Sequence, residues 1–370
     1  MKALGVIFSN IYDSSLGELT SNRTVASLPF GGRYRQIDFV LSNMSNSGIV
    51  NIGVITKYNY RSLMDHLGSC DDWDLNRKNA GLKILPPFAN GNSIVYKGKM
   101  EALYSAVHFI DDPKFDCVVL CDSNVICNID YRPILEKHKK SGVDVTVITS
   151  CDHIDKNAKY PIVIQTNKKD VVTQIMVEAK PTLTDHAGIG MFIVNREKLV
   201  DAINDCYSKG LVNFEKDYIL HNFNDGNLKV GVYEYDGIVL RNDCIQSYYS
   251  NNMLLLEKKI RDGLFNAKSP LYTKVRDEIP TKYNNCKVKN CLIADGCDIN
   301  GEVSDSILFR SVKISEGSKI SNSIIMQGAN IGRNVTLDCV ILDKDVTVTD
   351  GAVLKGTKNH AVVIKKGETV

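Results

Sequence analysis

A 17-residue period in the last quarter of the chain limits its folding more than any other feature. Val303, Ile320, Leu337 and Leu354 stand 17 apart, and so do Cys297, Ile314, Ile331 and Val348. Ile307, Ile324 and Ile341 repeat the interval, as do Val312, Ala329 and Val346. Registers sharing one period are hard to reach by chance. Small turn residues, Gly317, Gly328, Gly332 and Gly351, separate the short apolar beats. This spacing describes a stack of β-coils with about six residues per face. Each coil buries its inward residues on the next, so a parallel β-helix of roughly four to five coils is expected over 286–370. An all-β sandwich is the alternative, and it leaves the shared period as coincidence.

Residues 1–245 follow another pattern. After Lys2, Ala3 to Phe8 is an apolar run of the kind that forms a buried parallel strand. A polar loop from Ser9 to Ser27 follows, then a helical pattern from Gln36 to Asn43. Strand, long loop and helix at this place are where mononucleotide-binding folds put a phosphate loop. The residue types disagree with the place: the loop carries Ser9-Asn10-Ile11-Tyr12-Asp13-Ser14-Ser15 where a cradle would use glycines and a cation. Stretches 49–56, 117–121, 143–150, 162–165, 171–177 and 189–194 read as further strands. Stretches 35–46, 61–67, 99–110, 131–141, 196–207 and 216–222 read as helices. The order predicts a doubly wound, Rossmann-like α/β sheet. A helix over 247–265 and a polar linker punctuated by Pro270 and Pro280 are expected within 246–285.

Hydrophobic content of 44% and charged content of 24% suit a globular protein, and a net charge of +2 provides no strong field for nucleic acid or a membrane surface. No apolar run approaches the roughly 20 residues of a membrane span. Met1 leads directly into a strand, so no signal peptide is expected. The 11 cysteines are scattered singly, without CxxC or a zinc-type His spacing, which suits reduced thiols and a cytoplasmic location. The seven histidines show no pairing and read as structural or exposed.

Several blocks carry a family resemblance. They are Pro29-Phe30-Gly31-Gly32-Arg33-Tyr34-Arg35-Gln36-Ile37-Asp38-Phe39-Val40-Leu41-Ser42-Asn43, Asn46 to Ile49, Ile52 to Tyr58, Tyr96-Lys97-Gly98, Asp122, Ile129 to Tyr131, Glu178 to Pro181 and Phe214 to Leu220. Together with the β-helix period, they make the chain resemble the ADP-glucose pyrophosphorylase (glucose-1-phosphate adenylyltransferase) family along nearly its whole length. The resemblance implies a GT-A-like nucleotidyltransferase domain followed by a left-handed parallel β-helix. It also implies transfer of an adenylyl group from ATP to glucose 1-phosphate with release of pyrophosphate. Such chemistry is mainly positioning and charge neutralisation. In the family a Gly-rich loop with an Arg holds the triphosphate, two aspartates hold Mg²⁺, and a Lys holds the sugar phosphate.

The chain departs from that pattern repeatedly. The family's AGGxGxRL loop falls on Ser9 to Leu16, so all three glycines are replaced and Ser15 stands at the Arg position. Asp13 adds a negative charge expected to face a polyanion, and the Lys of RAKPA falls on Val25. GTADA reads Gly98-Lys99-Met100-Glu101-Ala102, and a family Gln that contacts adenine falls near Phe88. Asp122 keeps the first metal position; at the second, gapless alignment gives Arg241, with Asp243 two residues further on. Losing one preorganised donor typically costs about 10²–10³ in rate, and losing a metal clamp several kcal/mol more. The expectation is a regulatory, catalytically weak or inactive subunit, like the D-type subunit of bacterial glycogen synthesis. It would assemble with a catalytic homologue as a hetero-oligomer, a tetramer by family analogy, and would itself require no cofactor.

Each candidate residue keeps a bland alternative. Asp122 is a metal ligand or a strand-end carboxylate facing solvent. Lys180 binds a sugar phosphate or is a solvated loop lysine. Asp217 lies near the sugar or is an ordinary helix-start carboxylate. Gly98 opens the block that seats the substrate. Arg33 lies where the family often binds an anionic activator; Gly31 and Gly32 read as backbone geometry. A sugar phosphate or nucleotide is the candidate ligand. The Tyr248-Tyr249 helix and the β-helix faces are candidate contact surfaces. Other functions compete: an active adenylyltransferase with a remodelled loop, a scaffold without ligand, or a β-helix acyltransferase. The last needs a coil histidine, and beyond residue 285 only His360 occurs, after the last recognisable coil.

Overall fold

The computed structural model describes residues 1–10, 13–87, 96–150, 158–182 and 184–370. Ala3–Phe8 (β1) lies inside a nine-stranded sheet, and its unbroken apolar run lets both faces be covered. Asn51–Ile55 (β2) pairs parallel to it on one side, and Gly81–Leu85 (β3) continues outward from β2. Cys117–Asp122 (β4) pairs parallel on the other side. Val145–Ser150 (β5), Tyr160–Thr166 (β6), Val172–Ala179 (β7), His186–Asn195 (β8) and Val230–Tyr235 (β9) complete the sheet. Strand β8 runs antiparallel to β4, β5 and β6, so the sheet is mixed rather than wholly parallel. Apolar periodicity reports burial and not direction, so the antiparallel strand could not be read from it. Edge strands β3 and β9 were not expected; their polar residues Lys83 and Glu234 break the apolar signal.

Gln36–Asn46 (α1), Arg61–Leu67 (α2), Lys99–Ser105 (α3), Tyr131–Ser141 (α4) and Arg196–Lys209 (α5) cover the sheet. One face packs α3 and α5 against β1, β4 and β8, and the other packs α1, α2 and α4. The expected helix over 99–110 breaks at Ala106 into α3 and a single following turn.

The expected 247–265 helix is also two: Ile245–Leu254 (α6) and Lys258–Leu264 (α7). Both belong to a third core. It joins Leu16, Leu28, Phe30 and Phe39 of the first domain to Ile307, Ile324, Met326 and Ile341 of the β-helix. Tyr248 and Tyr249 are 0% and 3% exposed, so they are no contact surface for another chain. Their hydroxyls donate to the carbonyl oxygens of Pro29 (2.5 Å) and Asn322 (2.6 Å), which makes burial of both rings affordable. Residues 270–281 are irregular yet pinned: Tyr272 N donates to Ser42 Oγ (2.9 Å) and Lys274 Nζ to Asp65 O (2.7 Å).

The C-terminal domain stacks five coils whose three faces are five-stranded parallel sheets, as in a left-handed β-helix. Val303, Ile320, Leu337 and Leu354 are direct partners, as are Ile307, Ile324 and Ile341. Cys297 is not in register with Ile314; Ile299 is. The first coil is shorter, pairing Lys287 with Glu302, so the 17-residue interval fails there. His360 lies inside the fifth coil, in an excursion between Val353–Lys355 and Val362–Ile364. It bridges only to Thr357 and is exposed.

A buried ion pair crosses between the domains. Both Asp343 carboxylate oxygens lie within 2.6 Å of Arg23 Nη2, and the two side chains are 1% and 3% exposed. Arg23→Ala leaves that carboxylate buried and unpaired, so unfolding should become about 3–5 kcal/mol easier, read from the urea midpoint. Reversing the sign at Lys365–Glu18, a half-exposed pair between the same segments, should cost no more than about 1 kcal/mol in the same measurement.

Candidate functional site

At the carboxyl ends of β1 and β2 a cleft of about 660 Å³ opens. Ligand crevices of open α/β sheets form there because the connecting loops part at the strand ends. Ser9, Asn10, Ser14 and Ser15 form one wall, Lys57, Lys97 and Lys159 add cations, and Tyr96, Tyr160, Glu178 and Asn213 complete the rim.

The loop after β1 turns its polar groups on itself. Asn10 Oδ1 accepts from Lys57 N (2.8 Å), and Asn10 Nδ2 donates to Asp13 (2.6 Å) and to Tyr58 O (3.1 Å). Contrary to the expectation from the sequence, Asp13 does not face the cleft: the residue is 6% exposed and its carboxylate accepts from Val25 N (2.9 Å). Burial pushes Asp13 up to about 6, against the pull of these hydrogen bonds and Lys57. Ser15, at the family's Arg position, donates its hydroxyl to the Asp243 carbonyl. Val25 is core. Phe88, and Ile11 and Tyr12 of the loop, lie outside the described residues.

Asp122, at the end of β4, is 1% exposed, so it is not a solvent-facing carboxylate. Lys99, the first residue of α3, lays its ammonium 2.9 and 3.0 Å from the two Asp122 oxygens. The same ammonium is 2.5 Å from Glu215 Oε1 and about equally far, 5.5 and 5.6 Å, from the ring centres of Phe8 and Phe192. Opposite, Gly190 has φ +84°, and a Cβ there would meet Asp122 Oδ2 at 2.6 Å. Burial raises Asp122 to about 6; Lys99 opposes the rise, Glu215 adds to it, and Arg241 opposes it. The ammonium laid on both oxygens favours the ionised carboxylate, and burial opposes it.

The other sequence candidates separate. Gly98 lines the cleft, but its missing side chain serves packing: a Cβ would lie 2.2 Å from Val212 O. Asp217 Oδ2 accepts from Val212 N (3.0 Å) and Asn213 N (2.8 Å), fastening the turn before the helical segment Phe214–Leu220. Lys180 is exposed beyond β7 and does not line the cleft; Glu178, two residues earlier, does. Arg241 bridges to Asp243 Oδ2 (3.0 Å) and sits 4.7 Å from the Tyr160 ring centre. Asp243 also accepts from Asn124 Nδ2 (2.5 Å). Lys99 and Glu215 were missed as a pair. Lys99 was visible as a departure within Gly98 to Ala102, but its partner lies 116 residues away.

Mg²⁺ does not fit this donor set. A cation already sits on Asp122, and Arg241, which the family resemblance sets at the second metal position, adds another positive charge near it. Among the described residues, no group of three or more His, Cys, Asp or Glu could hold a metal ion.

A second, small cavity of about 20 Å³ lies at the seam between the domains. Arg33, Arg35, Arg276, Arg310 and Lys344 surround it. They come from the segment before α1, the 270–281 segment and two coils of the β-helix. Arg33 is exposed at its rim. Arg35 is pushed down to about 10 by burial and by neighbouring arginines, against the pull of Asp38. Burial and nearby Arg35 and Arg23 lower Lys344 to about 7. Gly31 and Gly32 have φ +64° and +80°, a backbone that glycine adopts without strain. Asp38, beneath, accepts from Arg35 N (2.9 Å) and contacts His66 Nε2 (2.5 Å).

A mixed α/β sheet with its cleft at the strand ends, sharing a core with a parallel β-helix, defines a two-domain nucleotidyltransferase-type protein. Residues 6–236 match the family model of nucleotidyl transferases, and 276–361 that of the GlmU-like C-terminal hexapeptide. The chain is 33% identical over 365 residues to the glycogen biosynthesis protein GlgD of Bacillus subtilis (strain 168), covering 98% of this chain and 96% of that one. It is 30% identical over 377 residues to glucose-1-phosphate adenylyltransferase of Bacillus mycoides (strain KBAB4), covering 99% of each. The Bacillus cytotoxicus enzyme of that name is 32% identical over 363 residues, 96% of this chain and 95% of that one. The chain belongs to the glucose-1-phosphate adenylyltransferase family of nucleotidyl transferases.

Lys344 makes stability depend on pH. Between its folded value of about 7 and its ordinary 10.5, the unfolded chain holds a proton that the folded chain does not. Stability therefore rises with pH through that window, and the cost of the crowded charge is fully present below pH 7. Lys344→Met should remove this component: the difference in urea midpoint between variant and wild type should shrink from pH 7 to pH 9.5.

Proposed function

We propose that this chain is a regulatory, catalytically weak or silent subunit of glucose-1-phosphate adenylyltransferase, acting with a catalytic homologue in ADP-glucose formation for glycogen biosynthesis. The reading is carried by one observation: the Lys99 ammonium sits on Asp122, the carboxylate that the family resemblance assigns to the metal. The loop after β1 supports it, since Asn10 and Asp13 are bonded to each other and both they and Ser15 to nearby backbone. In-line phosphoryl-type transfer depends on neutralising charge around the phosphates; here an ammonium sits on the carboxylate of the metal position, and Ser15 stands where the family loop has its Arg. The cleft keeps its volume and three lysines, which suits binding of a sugar phosphate or nucleotide without turnover.

Regulation would enter at the seam. The five cations converging between the two domains suit a multiply charged anion, with Arg33 as the group that meets it first. An anion held there would touch both domains at once and so alter how a partner subunit senses them. Oligomerisation with the homologue follows the family pattern of tetramers. A cytoplasmic location is consistent with the ten free cysteines among the described residues, and no helix in that set is long and apolar enough to cross a membrane.

Two measurements test the reading. The purified chain alone should release no detectable pyrophosphate from ATP and glucose 1-phosphate, whereas adding it to a catalytic homologue should change that enzyme's KM or maximal rate. Turnover by the isolated chain at an enzyme-like rate overturns the proposal. Arg33→Ala should weaken the response of the mixed enzyme to an anionic activator by about tenfold without altering assembly, the scale of one charge-assisted contact.

A further inference from the structure

The Lys99 ammonium is bonded to both Asp122 and Glu215, and Glu215 lies 116 residues from Lys99 in sequence. The side chains of Lys99, Asp122 and Glu215 are 8%, 2% and 8% exposed. A lysine desolvated to this degree is costly unless carboxylates surround it, and two buried carboxylates are costly unless a cation lies between them. Each therefore explains the others. Arg241 adds a second positive charge near Asp122, so the two acids are balanced by protein groups. The distances are those of an ammonium, 2.9 and 3.0 Å to Asp122. A magnesium ion would require about 2.1 Å and several waters in the space that Nζ occupies. The aromatic rings of Phe8 and Phe192 close two sides with apolar walls, which suit a hydrocarbon stem and offer no oxygen to a metal.

We propose that Lys99 is a built-in cation that shuts divalent metal ions out of this cleft, and that Asp122 and Glu215 become a divalent-cation site only when its ammonium is removed. The cleft then receives a phosphorylated ligand through Lys57, Lys97 and Lys159 with no metal bridge. The inference uses the same cleft as the regulatory reading. Its test reads metal binding and not turnover, so the two can fail separately.

The probe is Mn²⁺, titrated into the full-length chain and followed by the loss of its free-ion electron paramagnetic resonance signal. Wild type should show no Mn²⁺ binding that Asp122→Asn abolishes. Lys99→Ala should gain a site at least about tenfold tighter than anything in wild type, and Lys99→Ala with Asp122→Asn should lose it. Lys99→Ala leaves two buried acids facing each other, so its folding is followed as well. Mn²⁺ should raise its melting temperature, and Lys99→Met should show the same gain in both readouts. A wild-type site removed by Asp122→Asn overturns the proposal. So does the absence of any Mn²⁺ effect, on binding or on melting, in both Lys99 variants.

Discussion

The loop that follows the first strand is held down from the far end of the chain. Arg23 reaches into the β-helix and is clamped on Asp343, with both groups removed from water. A buried pair of this kind tolerates no half-measures, since either charge alone would be stranded. It works together with a core that holds Leu16, Leu28 and Phe30 in one cluster with Ile324 and Met326. The two domains thus share one hydrophobic interior, and the loop that could have wrapped a triphosphate is part of it. Its short-range bonds, Asp13 to Val25 N and Thr20 Oγ1 to Asp13 O (2.5 Å), leave it little freedom to re-form around a ligand.

The cleft beside that loop shows the same logic in its charges. Losing a metal site would leave a buried aspartate without a counter-ion, and that deficit must be met for the sheet to remain folded. Lys99 meets it, and Glu215 then meets the excess created at the Lys99 side. Opposite, the glycine at 190 provides the space that Asp122 occupies. The site is internally balanced in charge, and its three side chains are almost wholly buried. The seam between the domains is the reverse case. Five cations crowd there, and Arg35 and Lys344 are displaced downward first by burial and then by neighbouring cations, against the pull of Asp38 and Asp343. One positive cluster at the seam and one charge-balanced cleft are the two features on which the proposed regulatory reading rests.

Much of this was legible without coordinates. The 17-residue interval placed the inward residues of the coils, because stacking repeats the same environment at a fixed step. Strands β1 and β4 were plain from continuous apolar runs, and the replaced loop residues were visible one by one. The first coil escaped because it is shorter, which moved Cys297 out of the register assigned to it. The Tyr248-Tyr249 pair was misplaced because an aromatic run on a helix looks the same whether it meets a partner chain or another part of its own.

The sequence by itself determined the two architectures, the family, and which phosphate-handling residues are missing, because periodicity and short motifs are local properties of a chain. Only the tertiary structure decided what those losses became. Asp122 received a lysine in place of solvent or metal, Asp13 turned inward, and Arg33 joined four other cations at the seam. The physical reason is range: a buried charge is set by whatever lies within a few ångströms, and here those neighbours include groups as distant in sequence as Glu215 from Lys99, 116 residues apart, and Asp343 from Arg23, 320 residues apart.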